Sequence, residues 1–413
     1  MSYLDKLLDG IEVEWKALGQ ISEIYGGLMG KSKTDFENGN ALYISYKNIF
    51  DNIEVNFSNL DMVKIADSEN QHEVKYGDVL FTGSSETPDE AGMSSAVTTN
   101  CKDRVYLNSF SFGLRFNEDI KLLPEFSKYL FRSNFMRLEI SKAASGVTRF
   151  NISKARFKKI CIPIPPSSIQ KEIVRILDTF TELTAELTAE LTARKKQYNF
   201  YRDQLLNFKG KEVEWKPLGE IFDLKNGYTP SKSNQEYWTN GTIPWFRMED
   251  IRENGRVLSR SIQYVNTCAI KGGKLFPANS IIVATSATIG EHALITVPFL
   301  SNQRFTNLSL KKNYVDKFII KFLFYYGFVL DEWCKNNITV GNFAGVDMVG
   351  FKKFQIPIPS IEEQERIVAI LDKFDTLTTS ISEGLPKEIK LRQKQYEYYR
   401  DMLLSFPKDN LKA

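Results

Sequence analysis

Histidine and cysteine are scarce in this chain. Among its 413 residues there are 2 histidines, His72 and His292, and 4 cysteines that lie far apart and form no Cys-x-x-Cys pair. Zinc sites are built mainly from these two residue types, and histidine is the usual acid–base group near neutral pH. The sequence therefore nearly excludes a histidine-rich metal site, and it leaves little material for histidine-based catalysis.

Long apolar runs and a strong net charge are missing as well. No N-terminal segment has the composition of a signal peptide or a membrane-spanning helix, so we expect a cytoplasmic protein. The net charge is only +3, from 54 basic and 51 acidic residues. Any nucleic-acid-binding surface must then come from local clusters of charge. The length suits two globular domains with connections.

The chain contains two copies of one sequence pattern. Lys158–Pro165 (KKICIPIP) returns as Lys352–Pro359 (KKFQIPIP), at an offset of 194 positions (352 minus 158). Gly10–Gly19 returns as Gly210–Gly219, at an offset of 200. The segment after position 165 also repeats at 194, in Gln170, Ile173, Val174, Ile176, Leu177, Asp178 and Phe180. Two similar units in one chain suit a target with two-fold symmetry, chiefly duplex DNA or a dimeric partner.

One stretch departs from the repeat. Val79 matches Ile281 at an offset of 202 (281 minus 79), whereas Asn108 matches Asn302 at 194 (302 minus 108). We therefore predict that the stretch between Thr82 and Asn108 is a variable loop. Each half of a two-part target should be read where the copies differ.

Each copy predicts a globular α/β domain followed by a long helix. β-Branched and aromatic runs alternate with Gly, Ser and Asn turns, and Ile-Pro-Ile-Pro then marks the exit from a strand. Ser167, Ser168 and Ser360 follow these prolines, where helix N-caps are expected. The predicted fold class is α+β: two α/β domains separated by two long antiparallel coiled-coil helices, with a pseudo-two-fold internal repeat.

Seam residues in both helical segments recur at steps of three and four, as in a coiled coil, and the first seam has one stutter and one charged member. The first seam consists of Ile169, Ile173, Ile176, Phe180, Leu183, Leu187, Leu191, Arg194, Tyr198, Tyr201 and Leu205. The second consists of Ile367, Ile370, Phe374, Leu377, Ile381, Leu385, Ile389, Arg392, Tyr396, Tyr399 and Leu403. Gly384-Leu385-Pro386 should kink or split the second helix, with Pro386 restarting it.

The repeat is also circular. Asp5-Lys6-Leu7-Leu8 resembles Asp203-Gln204-Leu205-Leu206 at the end of the first helix, and Arg400–Leu404 supplies the matching helix end at the C-terminus. We therefore predict that the two termini lie close together.

The helical segments resemble those of a known family. Leu183–Leu191 contains a repeated Thr-Ala-Glu-Leu and is followed by Gln197–Asp203 (QYNFYRD). The second copy has Gly384–Ile389 (GLPKEI) followed by Gln395–Asp401 (QYEYYRD). This combination resembles the helical regions of type I restriction-modification specificity subunits, and the resemblance covers both domains as well.

The resemblance implies a DNA-reading role without catalysis. Target recognition domains at residues 1–165 and 210–359 are each expected to read one half of a bipartite DNA sequence. The loops of the two domains differ, which suggests an asymmetric target. Helices at 166–209 and 360–413 are expected to act as spacers. The implied partners are double-stranded DNA, two methyltransferase subunits and, in the full complex, restriction subunits. S-Adenosylmethionine, ATP and magnesium serve those partners, so this chain is expected to need no cofactor or metal.

The Thr-Ala-Glu-Leu run suits a spacer. Each copy has four residues, about one helical turn and ~6 Å of rise, so an added copy should move the domains apart by roughly one to two base-pair steps of ~3.4 Å. Alanine, glutamate and leucine also simply favour helix, and on composition alone this plain alternative is preferred. The surrounding duplicated motifs favour the spacer.

Sequence signatures of an enzyme are incomplete. Gly26–Ser32 is one residue short of the phosphate-binding pattern G-x-x-x-x-G-K-[ST], and its second copy, Asn226–Ser233, has serine in place of the second glycine. Pro165-Pro166 lacks the aromatic residue of a methyltransferase clamp, and Pro88-Asp89-Glu90 lacks the rest of a nuclease core. A P-loop or nuclease-type enzyme is the main rival hypothesis, and a scaffold without base readout is the second.

Polar, basic and glycine-rich segments in matched places are the candidates for DNA contact. In the first domain they are Lys31, Ser32, Lys33, Lys47, Thr82, Ser84, Ser85, Arg149, Asn151, Lys154 and Arg156. In the second they are Ser231, Lys232, Arg247, Thr285, Ser286, Thr288, Asn302, Gln303, Arg304, Asn342 and Lys352. Lysines should hold phosphate, and the preferred base readers are Arg149, Asn302, Gln303 and Arg304. A solvated charge or a turn hydrogen bond is the alternative for each.

Aromatic pairs lie on both helical seams. They are Tyr198 with Tyr201 and Tyr396 with Tyr399. Core packing is the first interpretation, and a docking surface for methyltransferase helices is the second. On the second interpretation, these four tyrosines form a subunit interface together with Arg202 and Arg400.

Overall fold

The computed structural model describes residues 3–8, 10–100, 103–339, 344–380 and 383–407. The chain forms two compact units: the first is Met1–Glu186 with Ile389–Ala413, and the second is Leu187–Glu388. Over the described ranges, no helix is both long enough and apolar enough to cross a membrane. The first unit is built from both ends of the chain, as a circular repeat requires.

Short strands and short helices make up the first unit. Its strands are β1 (Glu14–Ala17), β2 (Ser22–Gly26), β3 (Ala41–Ile44), β4 (Asp61–Val63), β5 (Val79–Thr82), β6 (Ser84–Ser85), β7 (Ser94–Ala96), β8 (Val105–Leu107), β9 (Ser111–Phe116), β10 (Ala144–Ser145), β11 (Phe150–Ile152) and β12 (Cys161–Ile164). Its helices are α1 (Tyr3–Leu8), α2 (Leu18–Ile21), α3 (Tyr46–Asp51), α4 (Pro124–Leu130), α5 (Asn134–Lys142), α6 (Lys154–Phe157) and the first part of α7 (Ser167–Leu205).

The second unit begins with the rest of α7 and follows the same order. Its strands are β13 (Glu214–Pro217), β14 (Phe222–Asn226), β15 (Ile243–Phe246), β16 (Val257–Leu258), β17 (Tyr264–Val265), β18 (Ser280–Ala284), β19 (His292–Ile295), β20 (Leu300–Ser301), β21 (Phe305–Leu310), β22 (Ile338–Thr339), β23 (Gly345–Val346) and β24 (Gln355–Ile358). Its helices are α8 (Leu218–Ile221), α9 (Met248–Asn254), α10 (Ile320–Asn336), α11 (Met348–Lys353), α12 (Ile361–Thr379) and the start of α13 (Gly384–Leu403), which ends in the first unit.

Strand pairing repeats between the units. The main sheet has the order β2-β9-β5-β7 in the first unit and β14-β21-β18-β19-β16 in the second. Smaller sheets, β4-β3-β8 and β17-β15-β20, each contain one parallel pair. In the ribbons β1-β12 and β13-β24, Trp15 lies opposite Pro163 and Trp215 opposite Pro357. The internal repeat is thus confirmed, and these prolines lie in two-stranded ribbons, where proline is tolerated.

A buried glutamine joins each domain to the helix that follows it. Gln170 accepts a hydrogen bond from the Leu123 N–H at 2.8 Å and donates to the carbonyls of Lys121 (2.8 Å) and Pro165 (2.7 Å). In the second unit Gln364 makes the same three hydrogen bonds, with Ile319, Lys317 and Pro359. Repeated sequence here means repeated hydrogen bonding.

The helical seams depart from the predicted heptads near their N-termini. Leu177 and Leu371 are fully buried, whereas the predicted seam residues Ile176 and Ile370 are only partly buried. The seam prediction was wrong at this position. The first turns of α7 and α12 pack against their own domains, so that buried residues recur four apart instead of following a helix–helix seam.

α7 packs on a different helix in each unit. In the first unit Phe180 of α7 stacks on Tyr399 of α13, with ring centroids 5.1 Å apart. In the second unit Tyr198 and Tyr201 of α7 contact Phe374 of α12. The N-terminal half of α7 thus contacts α13, and its C-terminal half contacts α12. Antiparallel helices make contacts in this order. The α+β class with long helices is confirmed.

The second long helix is split where its sequence predicts. α12 ends at Thr379 and α13 begins at Gly384. Gly384 has a φ of 62°, and a Cβ there would lie 2.3 Å from the carbonyl oxygen of Thr376. Only glycine fits this turn without displacement of the backbone. The predicted seam residue Ile381 lies outside the described residues.

The described parts of the two termini share one core. Leu4 and Leu8 of α1 belong to the same cluster of buried residues as Leu403 of α13 and Phe406 beyond it. The predicted closeness of the termini is therefore confirmed for these residues, and the circular repeat has a structural basis. The end of α13 takes in the first unit the place that the end of α7 takes in the second, because Leu404 and Phe406 match Leu206 and Phe208 at an offset of 198 and lie in the corresponding cores.

The stretch between Thr82 and Asn108 is not one loop. It contains the buried strands β7 and β8, which have counterparts in β19 and β20. Ser95 of β7 lies opposite Leu80 as Ala293 lies opposite Ile282, an offset of 198 (293 minus 95). The prediction of a single variable loop was wrong. The copies differ in two connections, 83–93 and 97–104, at opposite ends of β7.

Candidate nucleic-acid interface

The second unit contains a cleft of about 650 Å³, called the second cleft below. It is lined by Thr229, Lys232, Gln235, Trp238, Thr239, Trp245, Arg247, Glu249, Gln263, Asn302, Gln303 and Arg304. Five of the predicted DNA-contact residues meet here from three separate segments of sequence: Lys232, Arg247, Asn302, Gln303 and Arg304.

Three connections deliver these side chains. The turn after β14 carries Thr229, the β15–α9 junction carries Arg247, and the β20–β21 turn carries Asn302–Arg304. The first and third connections touch: a Cβ at Gly227 would lie 2.2 Å from the Asn302 carbonyl oxygen, so glycine is required. Thr229 also donates a hydrogen bond to the Gln303 side chain.

Two tryptophans form a rigid wall of the second cleft. The rings of Trp238 and Trp245 meet edge to face at 5.1 Å. Each indole N–H donates to a backbone carbonyl, that of Ser231 for Trp238 and that of Tyr228 for Trp245, both at 3.0 Å. With their polar atoms satisfied inside the unit, the rings offer apolar surface to whatever enters the cleft.

Arg247 is held at its backbone and at its guanidinium. Its N–H donates to the Asp250 carboxylate at 2.7 Å, and Asp250 also accepts from the Ile262 N–H at 2.6 Å; burial nevertheless raises the pKa of Asp250. The guanidinium carbon lies 5.6 Å from the centre of the Trp245 ring. The nearest carboxylate oxygen, on Glu249, is 3.9 Å from Nε, which is beyond hydrogen-bonding distance.

The first unit has a smaller cleft of about 470 Å³, called the first cleft below. It is lined by Tyr46, Phe50, Ser84, Ser85, Glu86, Glu90, Thr148 and Arg149. It lies at the start of α3, as the second cleft lies at the start of α9. Both clefts therefore adjoin the start of corresponding helices, but their other walls come from connections that do not correspond.

Hydrogen bonds organise the wall of the first cleft around Ser84. The Tyr46 hydroxyl donates to the Ser84 carbonyl at 2.8 Å, and Nε of Arg149 donates to the Ser84 hydroxyl at 3.1 Å. β11 pairs with β6, which places the β10–β11 hairpin and its Arg149 against Ser84. The Arg149 guanidinium carbon lies 5.8 Å from the centre of the exposed Phe110 ring.

The clefts differ in charge. The second is lined by three cations, Lys232, Arg247 and Arg304, and one carboxylate, Glu249. The first is lined by one cation, Arg149, and by two carboxylates, Glu86 and Glu90. A polyanion is attracted to the second cleft, where cations predominate. The carboxylates of the first cleft instead favour hydrogen-bond donors such as the amino groups of bases.

A family model described as the type I restriction modification DNA specificity domain matches this chain twice, at residues 11–194 and 210–391. The chain belongs to this family. The EcoR124I/EcoR124II specificity subunit of Escherichia coli is 40% identical over 432 aligned positions, covering 99% of this chain and 98% of that relative. The EcoprrI specificity subunit of Escherichia coli is 59% identical over 220 residues, covering 52% of this chain and 54% of that relative.

Solved structures show the same fold. A chain from the structure on complex assembly and conformational transition of the type I R-M system gives a TM-score of 0.69 at 17% identity, over 95% of this chain and 98% of that one. The HsdS subunit from Thermoanaerobacter tengcongensis gives 0.54 at 18% identity, over 96% and 98%. The family's two recognition domains and long helices are therefore present here.

Lys31 is tied inside the first unit. Its ammonium donates to the Lys64 carbonyl and to the Glu69 carboxylate, both at 2.6 Å, and its side chain is 5% exposed. Hydrogen bonds from Lys31, from Gln71 and from the Ala66 N–H lower the pKa of Glu69 to about 2. Because its charge is neutralised within the domain, the structure removes Lys31 from the DNA-contact candidates.

Lys352 lies away from the second cleft. Its carbonyl oxygen lies near Gly219, 3.3 Å from where a Cβ would be, and Gly219 precedes the start of β14. Thr229 of the cleft follows the other end of that strand. The five residues of β14 span roughly 15 Å. Lys352 therefore leaves the candidate surface too, and Asn342 lies outside the described residues.

The remaining candidates that the structure describes do not line either cleft. Lys33 lies in an exposed 3₁₀ turn, and Lys47 is exposed beside Tyr46 on α3. Ser286 forms a bridge with Gly345, in the place where Ser84 pairs with Asn151. Asn151 and two residues of α6 are exposed on the segment that follows the Arg149 hairpin; the two are Lys154 and Arg156.

The helix candidates pack mainly within their units. Tyr198 is 7% exposed, and the rings of Tyr396 and Tyr399 are partly buried. Arg202 lies over Tyr198 and pairs with Asp203, as Arg400 lies over Tyr396 and pairs with Asp401. Core packing is thus the main role of Tyr198, Tyr396 and Tyr399, whereas Tyr201 remains 39% exposed.

Several cleft residues are absent from the predicted contacts. Among these residues are Trp238, Trp245, Tyr46, Glu86 and Glu90. On the helices, exposed Phe200 and Tyr398 were also missed. Tyr398 lies 198 positions after Phe200, the offset of the repeat in the helices, and this match indicates a matched exposed position in the sequence. For Glu86 and Glu90 the sequence has no such signal, because contacts with the phosphate backbone come from basic and neutral polar groups.

Proposed function

We propose that this chain is a non-catalytic DNA-reading subunit of a type I restriction-modification complex. Each unit contributes one cleft that reads one half of a bipartite, asymmetric target. The observation that carries the proposal is the second cleft, where three basic and four amide-bearing side chains converge beside two tryptophans. Together these groups supply phosphate contacts and base-edge hydrogen bonds.

The proposed DNA contacts follow the geometry of the two clefts. Those of the first unit are Lys33, Lys47, Ser84, Arg149, Asn151, Lys154 and Arg156. Those of the second are Lys232, Arg247, Ser286, Asn302, Gln303 and Arg304. The lysines hold phosphate and set the register, whereas the arginines and amides that line the clefts reach base edges.

The helices act as a spacer in this proposal. α7 is continuous through Leu183–Leu191, which contains the Thr-Ala-Glu-Leu copies. One inserted copy adds about one turn and ~6 Å. We expect the insertion to lengthen the unspecified spacer of the methylated sequence by one to two base pairs and to leave both half-sites unchanged. Altered half-site bases would contradict the spacer role.

Methyltransferase and restriction subunits are the proposed protein partners. S-Adenosylmethionine, ATP and magnesium serve those partners, so this chain needs no cofactor of its own. The complex works in the cytoplasm. Phe200 with Tyr201 and Tyr398 with Tyr399 form edge-to-face pairs at the same offset, and Phe200 is 59% and Tyr398 65% exposed. Exposed aromatic pairs of this kind, with Arg202 and Arg400 beside them, suit two equivalent docking sites.

The function is tested by methylation mapping. The chain is produced with its methyltransferase subunit in a host without adenine methylation, and methylated adenines are mapped across the genome. We expect one bipartite sequence with two different half-sites. Binding without sequence preference would support the scaffold alternative. ATP hydrolysis or DNA cleavage by the purified chain alone would support the enzyme alternative.

A further inference from the structure

Seven arginines in the described part of the chain rest on aromatic rings. They are Arg104, Arg115, Arg149, Arg202, Arg247, Arg256 and Arg400. Five of the seven have a carboxylate oxygen within 3.4 Å of the guanidinium, and the acids are Glu73, Asp78, Asp203, Asp331 and Asp401. Arg149 has no such carboxylate, and the one nearest to Arg247, on Glu249, is 3.9 Å from Nε, beyond hydrogen-bonding distance. These two arginines line the clefts.

A guanidinium on an aromatic ring is oriented, but its hydrogen-bond donors are not used up. The ring holds one face of the cation and leaves the edge with its N–H groups open. A carboxylate normally occupies that edge, as it does for the other five. Arg149 and Arg247 are therefore pre-oriented cations whose planar edges still need acceptors.

Arg247 shows this most clearly. Its Nε is buried and has no hydrogen-bond partner within the described residues. A desolvated polar group without a partner costs free energy, and a ligand that supplies acceptors recovers it. Arg149 uses Nε for the Ser84 hydroxyl, at 3.1 Å, which leaves its two terminal nitrogens for a ligand.

We propose that Arg149 and Arg247 are the guanine readers of the two half-sites, an inference that rests on the proposed function. Guanine presents two acceptors, O6 and N7, side by side on the major-groove edge, and arginine matches them with two parallel N–H groups. The surroundings favour a base over a phosphate. Glu86 and Glu90 in the first cleft repel phosphate, and Asn302 and Gln303 flank Arg247 in the second with groups that suit bases.

The two arginines come from elements that do not correspond. Arg247 stands at the β15–α9 junction, where the first unit has Ser45 (247 minus 45 is 202, the offset there). Arg149 stands in the β10–β11 hairpin. The guanines are therefore read at different places in the two half-sites, and each half-site contains at least one G·C pair.

The test replaces each arginine by lysine, which keeps the positive charge and loses the planar fork. The full chain with Arg149→Lys or Arg247→Lys is combined with its methyltransferase subunit, and adenine methylation is measured on a library randomised in both half-sites. We expect each variant to lose roughly ten- to a hundredfold of its discrimination at one G·C pair. The two variants should affect different half-sites, and each should leave the other half-site intact.

Arg104→Lys is the matched control. Arg104 also rests on a ring and is exposed, but it is paired with Glu73 and lies outside the first cleft. Its variant should methylate the wild-type sequence with unchanged discrimination, and all three variants should unfold at the wild-type temperature.

Unchanged discrimination in Arg149→Lys or Arg247→Lys would overturn the inference for that half-site, because a phosphate contact tolerates lysine. A wild-type half-site without a G·C pair would overturn it directly. Neither outcome contradicts the proposed function. The proposed function fails only if the wild-type complex recognises no bipartite sequence.

Discussion

The two units share their backbone framework and differ at the rims of their clefts. Gln170 and Gln364 make the same three hydrogen bonds, and Trp15 and Trp215 lie opposite equivalent prolines. At the clefts, one cation and two carboxylates in the first unit contrast with three cations and one carboxylate in the second. Framework residues satisfy buried backbone groups and must repeat. Side chains at the rims of the clefts do not satisfy buried backbone groups, so they are free to differ between the units.

The largest expected effect tests whether the frameworks are equivalent. Gln170→Leu or Gln364→Leu leaves one buried N–H and two carbonyls without partners, since both glutamines have no exposed surface. We expect each variant to lower the free energy of unfolding by about 3 kcal/mol or more, and the two losses to agree within about 1 kcal/mol. Urea titration followed by circular dichroism measures both.

Exposed neighbours provide the controls for the glutamine variants. Lys171→Ala and Glu365→Ala change surface side chains on the same helices, and each should stay within about 0.5 kcal/mol of the wild type. Markedly unequal losses for the two glutamines would show that the units do not share one framework.

The second effect separates two lysines that the sequence places in matched turns. Lys232→Ala should reduce the slope of log binding constant against log salt by about 0.9 and leave the Tm unchanged. Lys31→Ala should leave the slope unchanged and lower the Tm, because it breaks the contacts with Lys64 and Glu69. Equal changes of slope for the two variants would remove the contrast between a lysine held inside the domain and one that faces DNA.

The third effect concerns the carboxylates of the first cleft. Glu86→Gln removes a negative charge that faces the polyanion, so the affinity for DNA of unrelated sequence should rise by roughly two- to fivefold at low salt. Glu23→Gln makes the same charge change at the far end of β2, away from the cleft. If Glu23→Gln raised the affinity equally, the first cleft would not be the place where DNA is held.

The smallest effect is a dependence on pH that belongs to the first unit. The pKa of Glu69 falls from its ordinary 4.5 to about 2 in the folded chain. A lowered folded pKa contributes stability above pH 4.5, and this contribution is lost as the pH falls from 4.5 towards 2. The difference in Tm between wild type and Glu69→Gln should therefore shrink between pH 5 and pH 2. A constant difference would mean that the Lys31–Glu69 ion pair does not stabilise the domain.

Much of the framework is predictable from the sequence. The duplicated Ile-Pro-Ile-Pro motifs mark β12 and β24, and the Gly384-Leu385-Pro386 turn marks the break between α12 and α13. Such features are local, because proline and glycine act on their own backbone and apolar periodicity reflects one helix face. Where α7 changes from domain packing to helix pairing, local periodicity fails, and Leu177 is buried in place of Ile176.

The clefts are only partly predictable. Asn302, Gln303 and Arg304 are neighbours in sequence, and their polar character in a matched turn indicates their role. The second cleft also needs Trp245 and Arg247, which reach it from a strand end more than fifty positions earlier (302 minus 247 is 55). One variable loop was expected between Thr82 and Asn108, but the tertiary pairing of β7 divides it in two.

By itself, the sequence determined the two-fold repeat, its circular order, the long helices and the family. All of these follow from patterns that are local or that recur at a fixed offset. Only the tertiary structure decided which charges face a ligand. Lys31 and Lys232 occupy matched turns, yet Lys31 meets Glu69, 38 positions away, and Lys232 lines a cleft. An ion pair depends on distances that folding sets, and those distances separate a lysine that stabilises its domain from one that is available to DNA.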